Sequence, residues 1–230
     1  NKMTVKELYI NGRIYDLDKE ELKNHLTIVK AFVYCNDFNY DLNSKNIDKA
    51  LLGDPTETAL VKAFFNEVNI LKEFMSKSSR IYDIPFDSNR KMMSVIVREG
   101  GRETCYVKGA PERVIEKCTH ILENGVVKPL TSQKKRQVAS YIEAMSNRAL
   151  RCIASAYKET GLTRGEDLEK DLIFIGVAGS IDPPRVEVRD AVLKCKLAGI
   201  QPVMITGDHK NTALAIAKSI NICNTDDQAI

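Results

Sequence analysis

The sequence predicts an α/β fold: a twisted antiparallel sheet with helices packed on it, followed by a shorter αβα piece. Three observations carry this. Residues 92–97 and 104–107 read as strands joined across Glu99-Gly100-Gly101-Arg102, with Gly-Gly supplying the positive φ values of a two-residue hairpin. Asn11-Gly12 and Asn124-Gly125 mark two more hairpins between β-prone runs. At Asp182-Pro183-Pro184-Arg185, consecutive prolines forbid a continued strand or helix, and the pattern beyond changes to helix, strand, helix. The division therefore falls at 1–181 and 182–230.

Composition bounds the rest. A chain of 230 residues, 43% hydrophobic and 28% charged, buries a good core and makes one and a half to two domains. A net charge of +3 is too small to argue for nucleic acid or a membrane surface. The six cysteines contain no C-x-x-C pair, and His25, His120 and His209 are equally dispersed. The expectation is reduced, mostly buried thiols in a cytosolic protein, with no metal site. The most apolar run, 172–181, is far too short to cross a bilayer. Opening on Asn1-Lys2-Met3-Thr4 without a leader or an initiator methionine, the chain is expected to be an excised piece of a longer one.

In chain order, residues 4–10 and 13–17 flank the first turn. Asp18, three residues before Glu21, makes a capping box for a helix with Leu22, Leu26, Val29 and Val33 on one face. Residues 36–46 are polar and read as a loop. Asp54 caps the next helix, Pro55 takes its first position, and Glu57 falls where the box glutamate belongs. Residues 80–85 form a strand, and a short helix starts at Pro111. Thr131 caps a helix whose apolar side is Val138, Tyr141, Ile142 and Met145. Residues 172–178 read as a buried strand. Then come a helix over 186–198 stopped by Gly199, a buried strand over 202–205 and a helix from about Asn211.

The chemistry gathers around the central hairpin. Phe86 and Lys91 stand at its entrance, and Lys108, before Gly109-Ala110, stands at its exit on what reads as an exposed site. Antiparallel pairing brings entrance and exit together, where an aromatic face, two ammonium groups and bare backbone can hold a stacked base and its phosphates. Rim packing and solvated charge are the usual account of such residues, and geometry alone favours that account. The Thr206-Gly207-Asp208 turn follows the 202–205 run, at a strand's carboxyl end where open sheets bind ligands; it serves equally as a strand-to-helix turn with Asp208 as cap.

Longer strings separate these readings. Phe86-x-x-x-x-Lys91-x-Met93-Ser94-Val95 with Lys108-Gly109-Ala110-Pro111-Glu112 resembles the nucleotide-binding domain of P-type cation-transporting ATPases. The resemblance implies Phe86 stacking on adenine, with Lys91 and Lys108 by the base and phosphates. Gly53-Asp54-Pro55-Thr56-Glu57-Thr58-Ala59-Leu60 resembles the motif whose glutamate approaches the adenine amino group, Glu57 here. The segment ending in Arg151-Cys152-Ile153-Ala154 resembles the one whose arginine reaches the phosphates. Ala198-Gly199-Ile200-x-x-Val203-Met204-Ile205-Thr206-Gly207-Asp208-His209 resembles the phosphorylation domain. By this resemblance 182–230 is an incomplete Rossmann-like, haloacid-dehalogenase-like piece with unpaired sheet edges, the less stable part of the chain.

The implied protein couples ATP hydrolysis, through an aspartyl-phosphate and with Mg²⁺, to cation transport. The signature Asp-Lys-Thr-Gly-Thr-Leu-Thr does not occur in the sequence, nor does Gly-Asp-Gly-x-Asn-Asp. The piece is thus expected to bind ATP as a monomer without hydrolysing it, as the cytoplasmic part of an integral membrane protein whose ion passes through membrane helices elsewhere. Asp182-Pro183-Pro184-Arg185 and Thr206-Gly207-Asp208-His209 resemble the calcium and sodium/potassium branch, and overall likeness favours calcium over Na⁺/K⁺ or H⁺. A stand-alone nucleotide sensor is the alternative that this stretch leaves open; flanking apolar helices in the full gene would rule it out. A haloacid-dehalogenase-type phosphatase would need an Asp-x-Asp nucleophile motif ahead of Thr206, and none has a counterpart there.

Overall fold

The structure, a computed structural model, describes residues 3–19, 25–41, 44, 46–161, 165–182, 185, 187–206 and 210–223. Nine strands form one sheet: β1 (Thr4–Ile10), β2 (Arg13–Asp16), β5 (Ser78–Asp87), β6 (Met92–Glu99), β7 (Arg102–Gly109), β8 (Cys118–Glu123), β9 (Val126–Pro129), β10 (Arg151–Thr160) and β11 (Leu172–Ile181). The order is β2-β1-β11-β10-β7-β6-β5, with β8 beside the first residues of β11 and β9 beyond it. Every pairing is antiparallel except β8 with β11. The pair β3 (Asn39–Tyr40) and β4 (Leu51–Leu52) stands apart.

All three expected hairpins form. Ile10 pairs with Arg13, Glu99 with Arg102 and Glu123 with Val126, each across two residues of positive φ. That is the twist-matched turn that Asn-Gly and Gly-Gly adopt without strain. The first and third turns also dock together, Asn124 N–H donating to Asn11 Oδ1 at 2.8 Å.

Alternation along the strands gives the sheet two apolar faces. One packs against α5 (Pro111–Glu116) and α6 (Ser132–Ser146), using Met92, Ile96, Val107, Ala154 and Phe174. The other packs against α1 (Leu26–Tyr34) and α3 (Pro55–Lys62), using Leu8, Ile10, Met93, Val95 and Tyr106. A third cluster ties α1 and α3 to α2 (Ile47–Ala50) and α4 (Val68–Ser76). Thr131 caps α6 as expected, its hydroxyl accepting Lys134 N–H, and Val138 and Met145 are buried. The expected start of α1 falls partly outside the described residues; Asp18 instead holds Lys6 at 2.8 Å.

The last part differs most from expectation. After β11, α7 (Val188–Leu197) ends at Gly199 with φ +74°, as its sequence demands. Residues 202–205, however, do not form a buried strand: among the described residues nothing pairs with them, and Val203 and Ile205 are exposed. An apolar run becomes a buried strand only when neighbours take its N–H and C=O groups, and none does so here. A helix, α8 (Lys210–Ser219), follows.

Candidate functional site

The ends of four strands meet at one end of the sheet. Asp87 closes β5 and pairs with Met92, which opens β6; Met92 pairs with Gly109, which closes β7; and Gly109 pairs with Ala154 near the start of β10.

Phe86 sits where the edge strand β5 slips register between Ile84 and Asp87. Pro85 lacks an N–H, and an edge irregularity is where a strand tolerates that. The slip leaves the Phe86 ring 61% exposed, yet its backbone is fixed. Asp87 Oδ1 accepts the N–H groups of Asn89 and Arg90, and Asp87 O accepts that of Lys91. Arg90 donates to Pro85 O at 2.7 Å and Met92 O at 3.1 Å, and its guanidinium is anchored by Glu169. Glu169, which also accepts the Ser94 hydroxyl, is buried at the end of a 3₁₀ turn over Gly165–Glu169. Lys91 is exposed in the left-handed region, with φ 54°.

Lys108 departs from the expectation of an exposed charge. It pairs with Met93 on the α1/α3 face and is only 4% exposed. Its ammonium meets Glu57 Oε2 on α3, where Asp37 N–H also donates at 3.4 Å. Glu57 therefore does not close the capping box. Asp54 alone caps α3, accepting Thr56 N–H at 2.8 Å, and the Glu57 carboxylate turns inward instead. A lysine buried this deeply needs a counter-charge, and that demand outweighs a local cap. Beneath the pair lies Cys35, whose thiol donates to Met93 O; burial pushes it up to about 12, against the opposing pull of Lys108. It is a neutral filler and no nucleophile at pH 7.

Gly109 has a backbone reason for its identity. A Cβ there would stand 2.3 Å from Lys91 O and 2.8 Å from Met92 Cα, so the lack of a side chain lets β6 cross. Arg151, exposed, opens β10 opposite Ser180. Residues 151, 153 and 155 share a face, and Ser155 pairs with Lys108, which puts Arg151 roughly 13 Å along the strand on the Lys108 side. Thr206 is exposed after the irregular segment, and Gly207 and Asp208 lie outside the described residues.

Concavity and chemistry do not coincide. A cleft of about 300 Å³ between β8–β9 and α6, and one of about 280 Å³ beside Gly199, contain none of the residues expected to bind. The charged pair and the exposed ring lie outside both clefts. Sequence reading missed Asn36, Asp37, Arg80 and Glu169, whose partners here lie 20 to 79 residues away and leave no local pattern.

Comparison with known proteins gives the family. Residues 24–187 match the family described as P-type ATPase, cytoplasmic domain N. The chain belongs to that family. It is 41% identical over 227 residues to calcium-transporting ATPase 1 of Bacillus cereus, covering 96% of this chain and 25% of that protein. It is 39% identical to calcium-transporting ATPase 1 of Lactococcus lactis, covering all of this chain and 26% of that one. The human potassium-transporting ATPase alpha chain 2 is 33% identical, with 100% and 25% covered. The chain thus spans about a quarter of the length of the curated relatives it matches.

Proposed function

We propose that this chain binds ATP for a calcium-transporting P-type ATPase, which couples hydrolysis through an aspartyl-phosphate to cation transport. The observation that carries the reading is the meeting of Phe86, Lys91, Lys108 and Glu57 at one end of one sheet, on strands and a helix whose backbones are fixed. Phe86 offers its face to adenine and Glu57 accepts from the exocyclic amino group. Lys91 and Lys108 neutralise the base edge and phosphates, and Arg151 reaches the far phosphates. Binding exchanges the Lys108–Glu57 contact for contacts with the nucleotide, so the site opens as it fills.

Residues 182–230 are read as part of the haloacid-dehalogenase-like phosphorylation domain, with Thr206, Gly207 and Asp208 at the phosphate end. Mg²⁺ neutralises phosphate charge when bound, and no residue of this chain is assigned to it. Calcium as the cargo rests on the identities to calcium-transporting relatives exceeding that to the potassium-transporting one. The chain is read as the cytoplasmic, monomeric part of a membrane protein; among the described residues no helix is long and apolar enough to cross a membrane.

ATP titration followed by backbone amide shifts tests the site. We expect a dissociation constant of roughly 0.1–1 mM for so open a pocket. Phe86→Ala should remove about 1–3 kcal/mol of it, while stability changes by no more than about 0.5 kcal/mol because the ring is mostly in water. Unchanged affinity in the folded variant would move the adenine elsewhere.

A further inference from the structure

We infer that Arg80 is a positioning residue that aims Glu57 at the base, so that nucleotide preference depends on a side chain that touches no nucleotide. The inference rests on the reading of Glu57 as the adenine acceptor. Glu57 stands in the first turn of α3, and two residues of the loop after α1 hold it. Asn36 Nδ2 donates to Glu57 O at 3.0 Å and to Phe32 O at 3.1 Å, joining the start of α3 to the end of α1. Asp37 N–H donates to the Glu57 carboxylate itself.

Strand β5 ties that loop down as well. One nitrogen of Arg80 donates both to Asn36 O, at 3.1 Å, and to Asp37 Oδ1, at 2.9 Å. A Cβ added at Gly53, before α3, would stand 3.4 Å from Phe38 Cα and 3.6 Å from Asp37 O, so the glycine lies beside the same joint. An exposed Arg–Asp pair alone adds little to stability. Here it fixes the peptide whose N–H grips the carboxylate, and the geometry of a hydrogen-bonding group sets its selectivity. Arg80 and Phe86 share one strand, so the ring that would stack the base and the clamp that aims its acceptor belong to the same element.

The test compares ATP and GTP, because a carboxylate accepts from the amino group of adenine and meets the carbonyl oxygen of guanine unfavourably. Both nucleotides are titrated into wild type, Arg80→Ala, Arg80→Lys, Glu57→Gln and the double variant Arg80→Ala/Glu57→Gln. Urea denaturation reports stability separately. Arg80→Ala should weaken ATP about three- to ten-fold and leave GTP within about two-fold, the span of one misaimed hydrogen bond. Arg80→Lys should recover part of the preference, and in the Glu57→Gln background Arg80→Ala should change the ratio no further. If Glu57→Gln alters the ATP:GTP ratio while Arg80→Ala weakens both nucleotides equally, or neither, the clamp is overturned and the adenine reading survives. If Glu57→Gln leaves the ratio untouched, the adenine reading falls and takes the inference with it.

Discussion

Each face of the sheet carries an ion pair, and the two are built in opposite senses. Under α5 and α6 the deeper partner is the carboxylate of Glu169, fixed by Ser94 and by an arginine that ties down its own loop. Under α1 and α3 the deeper partner is the cation, Lys108, while Glu57 keeps more of its surface in water. A pair whose buried member is already satisfied by hydroxyl and guanidinium closes a core. A buried cation with one removable carboxylate is a vacancy for a better anion. On the proposed reading, the difference separates a pair that holds the fold from a pair that a phosphate would replace.

The largest effect expected from this contrast is on stability. Glu169→Ala leaves the buried Ser94 hydroxyl without its acceptor and takes the charged partner from Arg90, which keeps only Pro85 O and Met92 O. Leaving a buried hydroxyl unsatisfied and a half-buried guanidinium without its carboxylate costs about 1–3 kcal/mol, read as a lowered urea midpoint. Lys108→Met should behave differently. Its methionine keeps the apolar stem against Met93, and Glu57 turns toward water, so stability should fall by no more than about 1 kcal/mol. ATP affinity should fall by about 1–3 kcal/mol, the value of a charged hydrogen bond. Equal stability losses in the two variants would break the comparison.

A smaller effect appears in acid. Glu123, on the α5/α6 side, is pushed up by its burial, but Lys134 at 2.6 Å and Lys128 at 3.4 Å outweigh that and hold it below the ordinary carboxylate value. A carboxylate depressed on folding stabilises the protein above its unfolded value and loses that contribution as pH falls through the folded one. Stability should therefore decline below about pH 4.5, and Glu123→Gln should flatten this limb without changing ATP binding near neutral pH. An unaltered acid limb in that variant would assign the decline to other groups.

What the sequence reveals follows from the range of the forces involved. Asn11-Gly12, Gly100-Gly101 and Asn124-Gly125 announce their hairpins because a two-residue turn is decided by its own φ values. Through the register, the Gly100-Gly101 hairpin and the β5–β6 pairing bring the strand ends that carry Phe86, Lys91 and Lys108 together, so their proximity is legible. The burial of Lys108 is not, because it depends on α3 covering that face some fifty residues away in the chain. Glu57 is misread for the same reason: the capping box is a local rule, and a buried cation overrides it. Residues 202–205 fail differently, since hydrophobicity states what a segment would bury against and not whether that partner is there. Gly109 is recognised as small, but for room around a ligand, when the closer demand comes from the Lys91–Met92 backbone.

Arg151 gives the smallest effect and the finest test of the contrast. It lies on the Lys108 side of the sheet but opens its strand in water, roughly four residues beyond the buried pair. A cation in that position attracts phosphate through solvent and gains little from any single contact, so Arg151→Ala should cost under about 1 kcal/mol of ATP affinity at low salt. The screening length shrinks from about 10 Å at 0.1 M salt to about 3 Å at 1 M, and the Arg151 effect should vanish over that range. The Lys108→Met effect should persist, because protein rather than electrolyte surrounds that ammonium. Titrations of both variants at the two salt concentrations read this directly. If the Arg151 loss survives at high salt, the arginine makes a desolvated contact with the nucleotide, and the buried part of the site extends along β10 beyond Lys108.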